Sequence, residues 1–170
     1  MGLSSEGRIM DENAHRVDRG SLLISAPPST IYGAMTDPES LEKWLPPEGM
    51  AARVEQFTSG VGGGFRMVLT YLDASGNGKT SDTTDVTNVE FVELVPDQKI
   101  VQQVRFTSDD AGFAGTMIMT WELQPHPGGT LVSVAATHVP LGISATDHEA
   151  GLASSLANLA AHVEQEASAS

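Results

Sequence analysis

Between Met50 and Val139 the chain repeats its hydrophobic residues at every second position, and this period limits the fold more than any other feature. Phe65, Met67, Leu69 and Tyr71 form one such run, and Met117, Met119, Trp121 and Leu123 form another. In the third, Leu131, Ser133, Ala135 and Thr137 alternate with Val132, Val134, Ala136 and His138. A period of two belongs to strands, whose successive side chains point to opposite faces. Turn residues separate the runs: Gly60-Val-Gly-Gly-Gly64, Ser75-Gly-Asn-Gly78, Pro96-Asp97, Asp109-Asp110-Ala-Gly112 and Pro125-His-Pro-Gly-Gly129. Six short strands follow, near 51–58, 64–73, 82–95, 99–108, 115–124 and 130–139, joined as antiparallel hairpins. Such a sheet has an apolar face that something else must cover.

The cover lies at the two ends of the body. A first strand over Arg16–Ser25 stops at Ala26-Pro27-Pro28, and Pro28 suits the first position of a helix, where its missing N–H costs nothing. Ile31, Tyr32 and Met35 then fall at helical spacing. Asp37 can cap a second short helix that carries Leu41, Trp44 and Leu45 on one face and ends at Pro46-Pro47. After the strands, Thr146 with Glu149 reads as a capping box, and Leu152, Leu156, Leu159, Ala160 and Val163 make an apolar stripe. This last helix is lean, with Gly151, Ala153, Ala157, Ala160 and Ala161, so it either packs close to the sheet or leaves room beneath it. The order is strand, two short helices, six strands and one long helix: an α+β layout. Residues 1–14 read as a loose leader, 15–166 as a single domain and 167–170 as a loose tail.

Composition narrows the partners. With 22 Asp and Glu against 9 Lys and Arg the net charge is -13, which disfavours nucleic acid and anionic membrane surfaces. No cysteine is present, so disulfides, thiolate catalysis and cysteine-bound metals are excluded, in keeping with a reducing cytoplasm. No apolar run approaches the roughly 18 residues of a membrane span.

Local motifs are weak. Asp73-Ala-Ser-Gly-Asn-Gly-Lys-Thr80 ends like a phosphate loop, but Asp73 stands where the first glycine belongs and no helical pattern follows. Gly60-Val-Gly-Gly-Gly-Phe65 lacks the last glycine of a dinucleotide fingerprint and precedes a strand. His148-Glu149-Ala-Gly-Leu152 begins like a zinc-protease helix, but Leu152 replaces the second histidine, and His148 reads as a first-turn surface residue. No metal ligand set, catalytic motif or cofactor is expected. What remains are polar atoms on apolar strand faces: Tyr71, Trp121 and, at the end of the last strand, His138.

In this order of elements the wording of the chain resembles a known family. Residues 24–47 (ISAPPSTIYGAMTDPESLEKWLPP) are similar to the opening of START-like (SRPBCC superfamily) domains, in the branch called activator of heat-shock protein 90 ATPase homologue-like. VGGGFRMVL (61–69), EFVELVPDQKIV (90–101), GTLVSVAATHVP (129–140) and DHEAGLASSLANLAAHVE (147–164) match in the same order. The resemblance implies a helix-grip fold, a curved antiparallel sheet of about seven strands wrapped around the long C-terminal helix, often with a cavity between them. It also implies binding of apolar molecules, which some members cyclise or dehydrate. Where similar sequences often carry tryptophan, this chain has Leu45 and Leu152, which removes bulk near the presumed cavity mouth.

The expected function is therefore binding of a small hydrophobic or amphipathic ligand between sheet and last helix. The candidate lining is Tyr32, Trp44, Met67, Tyr71, Met117, Met119, Trp121, His138, Leu152 and Leu156. A cyclase or dehydratase is the alternative, and it requires an interior acid–base pair such as His138 with Tyr71. A co-chaperone-like interaction module is a third reading, in which the acidic surface meets a basic protein. Monomer and homodimer both remain open.

Overall fold

The computed structural model describes residues 16–46, 50–71, 84–107 and 115–169, with the side chains of Tyr71, Thr84, Asp85 and 166–169 left out. The expected leader and the turns at Ser75–Gly78 and Asp109–Gly112 lie outside the described residues, and the backbone of 167–169, in the expected tail, continues the last helix. Strand β1 (Asp18–Ile24) leads into helices α1 (Pro28–Met35) and α2 (Pro38–Trp44). Then come β2 (Met50–Thr58), β3 (Gly64–Tyr71), β4 (Thr84–Val95), β5 (Lys99–Phe106), β6 (Met117–His126) and β7 (Gly129–Thr137). Helix α3 (Ala145–Ala169) closes the chain.

The seven strands form one antiparallel sheet in the order β1-β7-β6-β5-β4-β3-β2, so every neighbour after β1 is the next hairpin arm. Register shifts between Phe91 and Glu93 and between Glu55 and Thr58 mark bulges, which bend the strands and curl the sheet into a half-barrel. The inward residues follow the expected alternation: Phe65 and Met67 on β3, Ile100, Gln102 and Val104 on β5, and Val132, Val134 and Ala136 on β7 are all buried. The strand expected to stop before Pro125 continues to His126. Pro125 pairs with Thr130 of β7, while the β5 pairing ends at Glu122, so its missing N–H falls where the strand has a neighbour on one side only.

Helix α3 crosses the concave face against β1, α1 and α2. It approaches β1 closely because Gly20 has no side chain: a Cβ there would stand 3.1 Å from Leu156 Cδ1 and 3.4 Å from Leu152 Cβ. The helix is capped by Ser144, whose Oγ accepts from the Asp147 backbone N–H at 3.1 Å, in place of the expected Thr146–Glu149 box. Glu149 instead accepts a hydrogen bond from the Arg19 backbone N–H at 3.1 Å, tying the helix to β1. Side-chain bonds anchor the short helices: Asp37 caps α2 through the Ser40 N–H, and Glu42 accepts from the Val54 N–H. Asn158 donates to the Pro46 carbonyl and joins α3 to the end of α2.

Candidate functional site

The lean helix does two things at once. Its C-terminal half is solid core, with Leu156, Leu159 and Val163 buried. Its N-terminal half roofs a cavity of about 300 Å³, at the small end of the ~300–1,000 Å³ usual for ligand pockets. The roof is His148, Gly151, Leu152 and Ser155; α1 and α2 supply Met35, Leu41 and Trp44, followed by Leu45. Strands β3 to β6 make the floor, among them Phe65, Met67, Val104, Met117 and Trp121. Gly151 lines the cavity and is itself solvent-exposed, and a Cβ added to it would meet nothing within 4 Å.

A chain of fixed contacts sets the back wall. Trp44 Nε1 donates to the Ala34 carbonyl at 2.9 Å, satisfying an acceptor at the end of α1. The Trp44 ring meets Trp121 edge to face, with centroids 6.1 Å apart. Trp121 Nε1 in turn donates to Gln102 Oε1 at 3.0 Å, in a buried bond. Gln102 is 8% exposed and lines the cavity, as does the buried Thr87.

Behind His148, outside the cavity lining, lies a charged cluster. Asp18, 1% exposed, receives Arg16 Nε on Oδ1 at 3.0 Å and Arg16 Nη2 on Oδ2 at 2.8 Å. His148 Nδ1 lies 2.7 Å from the same Oδ2. Burial works against the Asp18 charge, but the hydrogen bonds from Arg16 and His148 outweigh it and hold the carboxyl below its ordinary range. Its hydrogen bond to Asp18 raises the Arg16 guanidinium against a smaller opposing effect of burial. Arg16 also donates to the Ile143 carbonyl at 2.7 Å, so the cluster pins the turn before α3 to β1.

Six of the ten residues expected in the lining surround this cavity: Trp44, Met67, Met117, Met119, Trp121 and Leu152. Leu156 packs in the solid core instead, because Gly20 draws the helix onto β1 at that turn. Tyr32 is half-buried against the core outside the cavity, its phenol pushed up by burial and then by Asp97. Tyr71 ends β3, and its side chain lies outside what the structure describes. His138 is exposed: alternation would aim it inward, but β7 stops at Thr137 and His138 takes φ 57°, which turns the ring outward. The interior acid–base pair of His138 with Tyr71 is therefore not built.

His148 is the opposite correction, since the expected surface residue is 13% exposed at its side chain and lines the cavity. A signal existed: His148 shares its helix face with Leu152, Ser155 and Leu159, and Gln102 falls in phase with Ile100 and Val104. Asp18 is likewise in phase with Ile24.

Comparison with known proteins gives a consistent result. The family model for activator of Hsp90 ATPase homolog 1-like proteins matches residues 25–164. A crystal structure of a protein from Chromobacterium violaceum is 36% identical, with TM-score 0.76, covering 87% of this chain and 96% of that one. The solution structure of the AHSA1-like protein from Aeromonas hydrophila is 16% identical, with TM-score 0.69, over 89% of this chain and 94% of that one, and shows the shared fold. No sequence among the curated proteins matches.

Proposed function

The chain belongs to the family of activator of Hsp90 ATPase homolog 1-like proteins, START-like domains of the SRPBCC superfamily, and from that premise we propose that it is a binding module for a small apolar or amphipathic molecule. One observation carries the reading: a cavity of about 300 Å³ between sheet and helix, walled by Met, Leu, Val, Phe and Trp side chains with a few polar groups among them. Apolar surface already desolvated by the fold accepts an apolar molecule at little further cost. Trp44, Met67, Met117, Met119, Trp121 and Leu152 are the contacts proposed, entry is past Gly151, and the reading is of a cytoplasmic protein. The cavity is tested with xenon, which enters apolar spaces whatever their detailed shape. Uptake followed by NMR should perturb the Met117, Met119 and Leu152 methyl groups and weaken in Gly151→Phe, whose ring stands in the mouth. Unshifted methyls under xenon pressure would remove the reading.

One observation favours a second reading, acid–base catalysis on the bound molecule: a histidine anchored by a carboxylate lines the cavity. With Nδ1 engaged by Asp18, the proton on that side is fixed and Nε2 is the nitrogen left for a ligand. α-Deuteration of small ketones in D2O, compared between the protein and His148→Gln, measures it. Equal exchange rates in the two would discard this reading.

A further inference from the structure

The back wall specifies more than an apolar guest. Trp121 Nε1–H is a donor only, so the amide it meets at 3.0 Å must present its oxygen, and the orientation of Gln102 follows from chemistry. Trp121 cannot swing away, because Trp44 stands against its ring and is itself held by the Ala34 carbonyl. The Gln102 NH2 group therefore points its two donors away from Trp121, and it has no hydrogen-bond partner among the described residues. Gln102 is more than nine-tenths buried and lines the cavity. The amide nitrogen is not sealed within the core but opens on the cavity, so an occupant that supplies an acceptor is favoured over one that leaves the donor unpaired. Neighbouring positions offer none. Gln102 pairs across the sheet with Met119, Met119 with Ala136, and Ala136 with Asp18, so the other polar group of this row is three strands away. Thr87 sits on a different row, opposite Met67 and Phe106.

We propose that Gln102 is a specificity-determining residue whose side-chain amide donates to a carbonyl oxygen, so that the cavity selects uncharged apolar carbonyl compounds over hydrocarbons of the same shape. This rests on the ligand-binding reading above and names its ligand class. A carboxylate head is disfavoured on this wall, since Gln102 borders Met119 across the sheet and Trp121 with Trp44 behind it, and no lysine or arginine lines the cavity. The volume suits a molecule of about ten water-sized groups, taking ~30 Å³ for each.

The probes are acetophenone and ethylbenzene, nearly equal in shape and differing at the carbonyl, titrated by NMR into the protein and into Gln102→Leu and Gln102→Glu. Gln102→Glu, titrated at alkaline pH where its carboxyl is ionised, keeps an oxygen for Trp121 and has no donor, so it guards against misfolding from an orphaned indole; tryptophan fluorescence checks that wall. Acetophenone is expected to weaken about tenfold in both variants while ethylbenzene holds or tightens. The carbonyl stretch of bound 13C-labelled acetophenone should shift to lower frequency in the wild type and lose that shift in the variants. Two probes weakened alike by the substitutions, or a carbonyl shift that survives them, would overturn the inference while leaving the cavity reading intact. Xenon failing to enter the wild-type protein would overturn both.

Discussion

At the scale of single residues, interior polar groups gather in two places beside the cavity, while Thr130 is satisfied apart from them by the Ala26 carbonyl. One is the Asp18 cluster, where a buried carboxylate is held by Arg16 and His148. Because folding lowers the Asp18 pKa, the cluster adds stability at pH above its ordinary value of 3.8, and this is lost as pH falls through the lower folded value. Asp18→Asn should cost about 3 kcal/mol at neutral pH, since Arg16 and His148 lose their anion. Its stability curve should also be flatter than that of the wild type below about pH 4, as urea titrations across pH would show. Parallel acid limbs in the two proteins would count against the assignment. The other place is the Trp44–Trp121–Gln102 chain, which orients a donor and adds no charge.

At the scale of elements, helix α3 has two unlike halves, and two glycines report on them. Gly20 lets Leu152 and Leu156 approach β1, so Gly20→Val should overpack that contact and cost about 2 kcal/mol in thermal or urea unfolding. Gly151 lies in the same helix over open space, so Gly151→Ala should stabilise the protein by about 0.5–1 kcal/mol through helix propensity alone. Opposite signs are the expected result; destabilisation by both would mean that the helix packs tightly along its whole length. Ser144→Ala tests the cap and should cost about 1 kcal/mol, while Thr146→Ala, outside the cap, should leave stability nearly unchanged.

At the scale of the whole molecule, a curled sheet and a helix in contact along one edge must diverge elsewhere, and the divergence is the cavity. A guest that enters it binds the folded state alone, so stability rises with guest concentration. At a hundred times its Kd an apolar ligand should add about 2.7 kcal/mol, which calorimetry would read as a rise of roughly 5–10 °C in Tm. The gain should shrink in Gly151→Phe, where entry is obstructed. A Tm independent of ligand in the wild type, at concentrations where NMR shows binding, would place that binding outside the native cavity.

The chain by itself determined the elements and their order. Period-two runs, proline and glycine stops and one amphipathic stripe are local signals, and Pro28, Asp37 and the strand alternation behave in three dimensions as they read in one. Alternation placed Met67, Met117, Met119 and Trp121 on inward faces and helical spacing did the same for Trp44 and Leu152, which is why these six surround the cavity. Only the tertiary structure decided which inward residues meet space and which meet one another. Leu152 and Leu156 are one turn apart in the stripe and both reach the space opposite Gly20, yet only Leu152 also borders the cavity. His138 and His148 changed places for similar reasons: a left-handed backbone turn expelled the first, and a carboxylate 130 positions away in the chain captured the second. Periodicity assigns a face, because that depends on neighbours in sequence. Whether the face is filled, hollow or charged depends on what the fold brings opposite it.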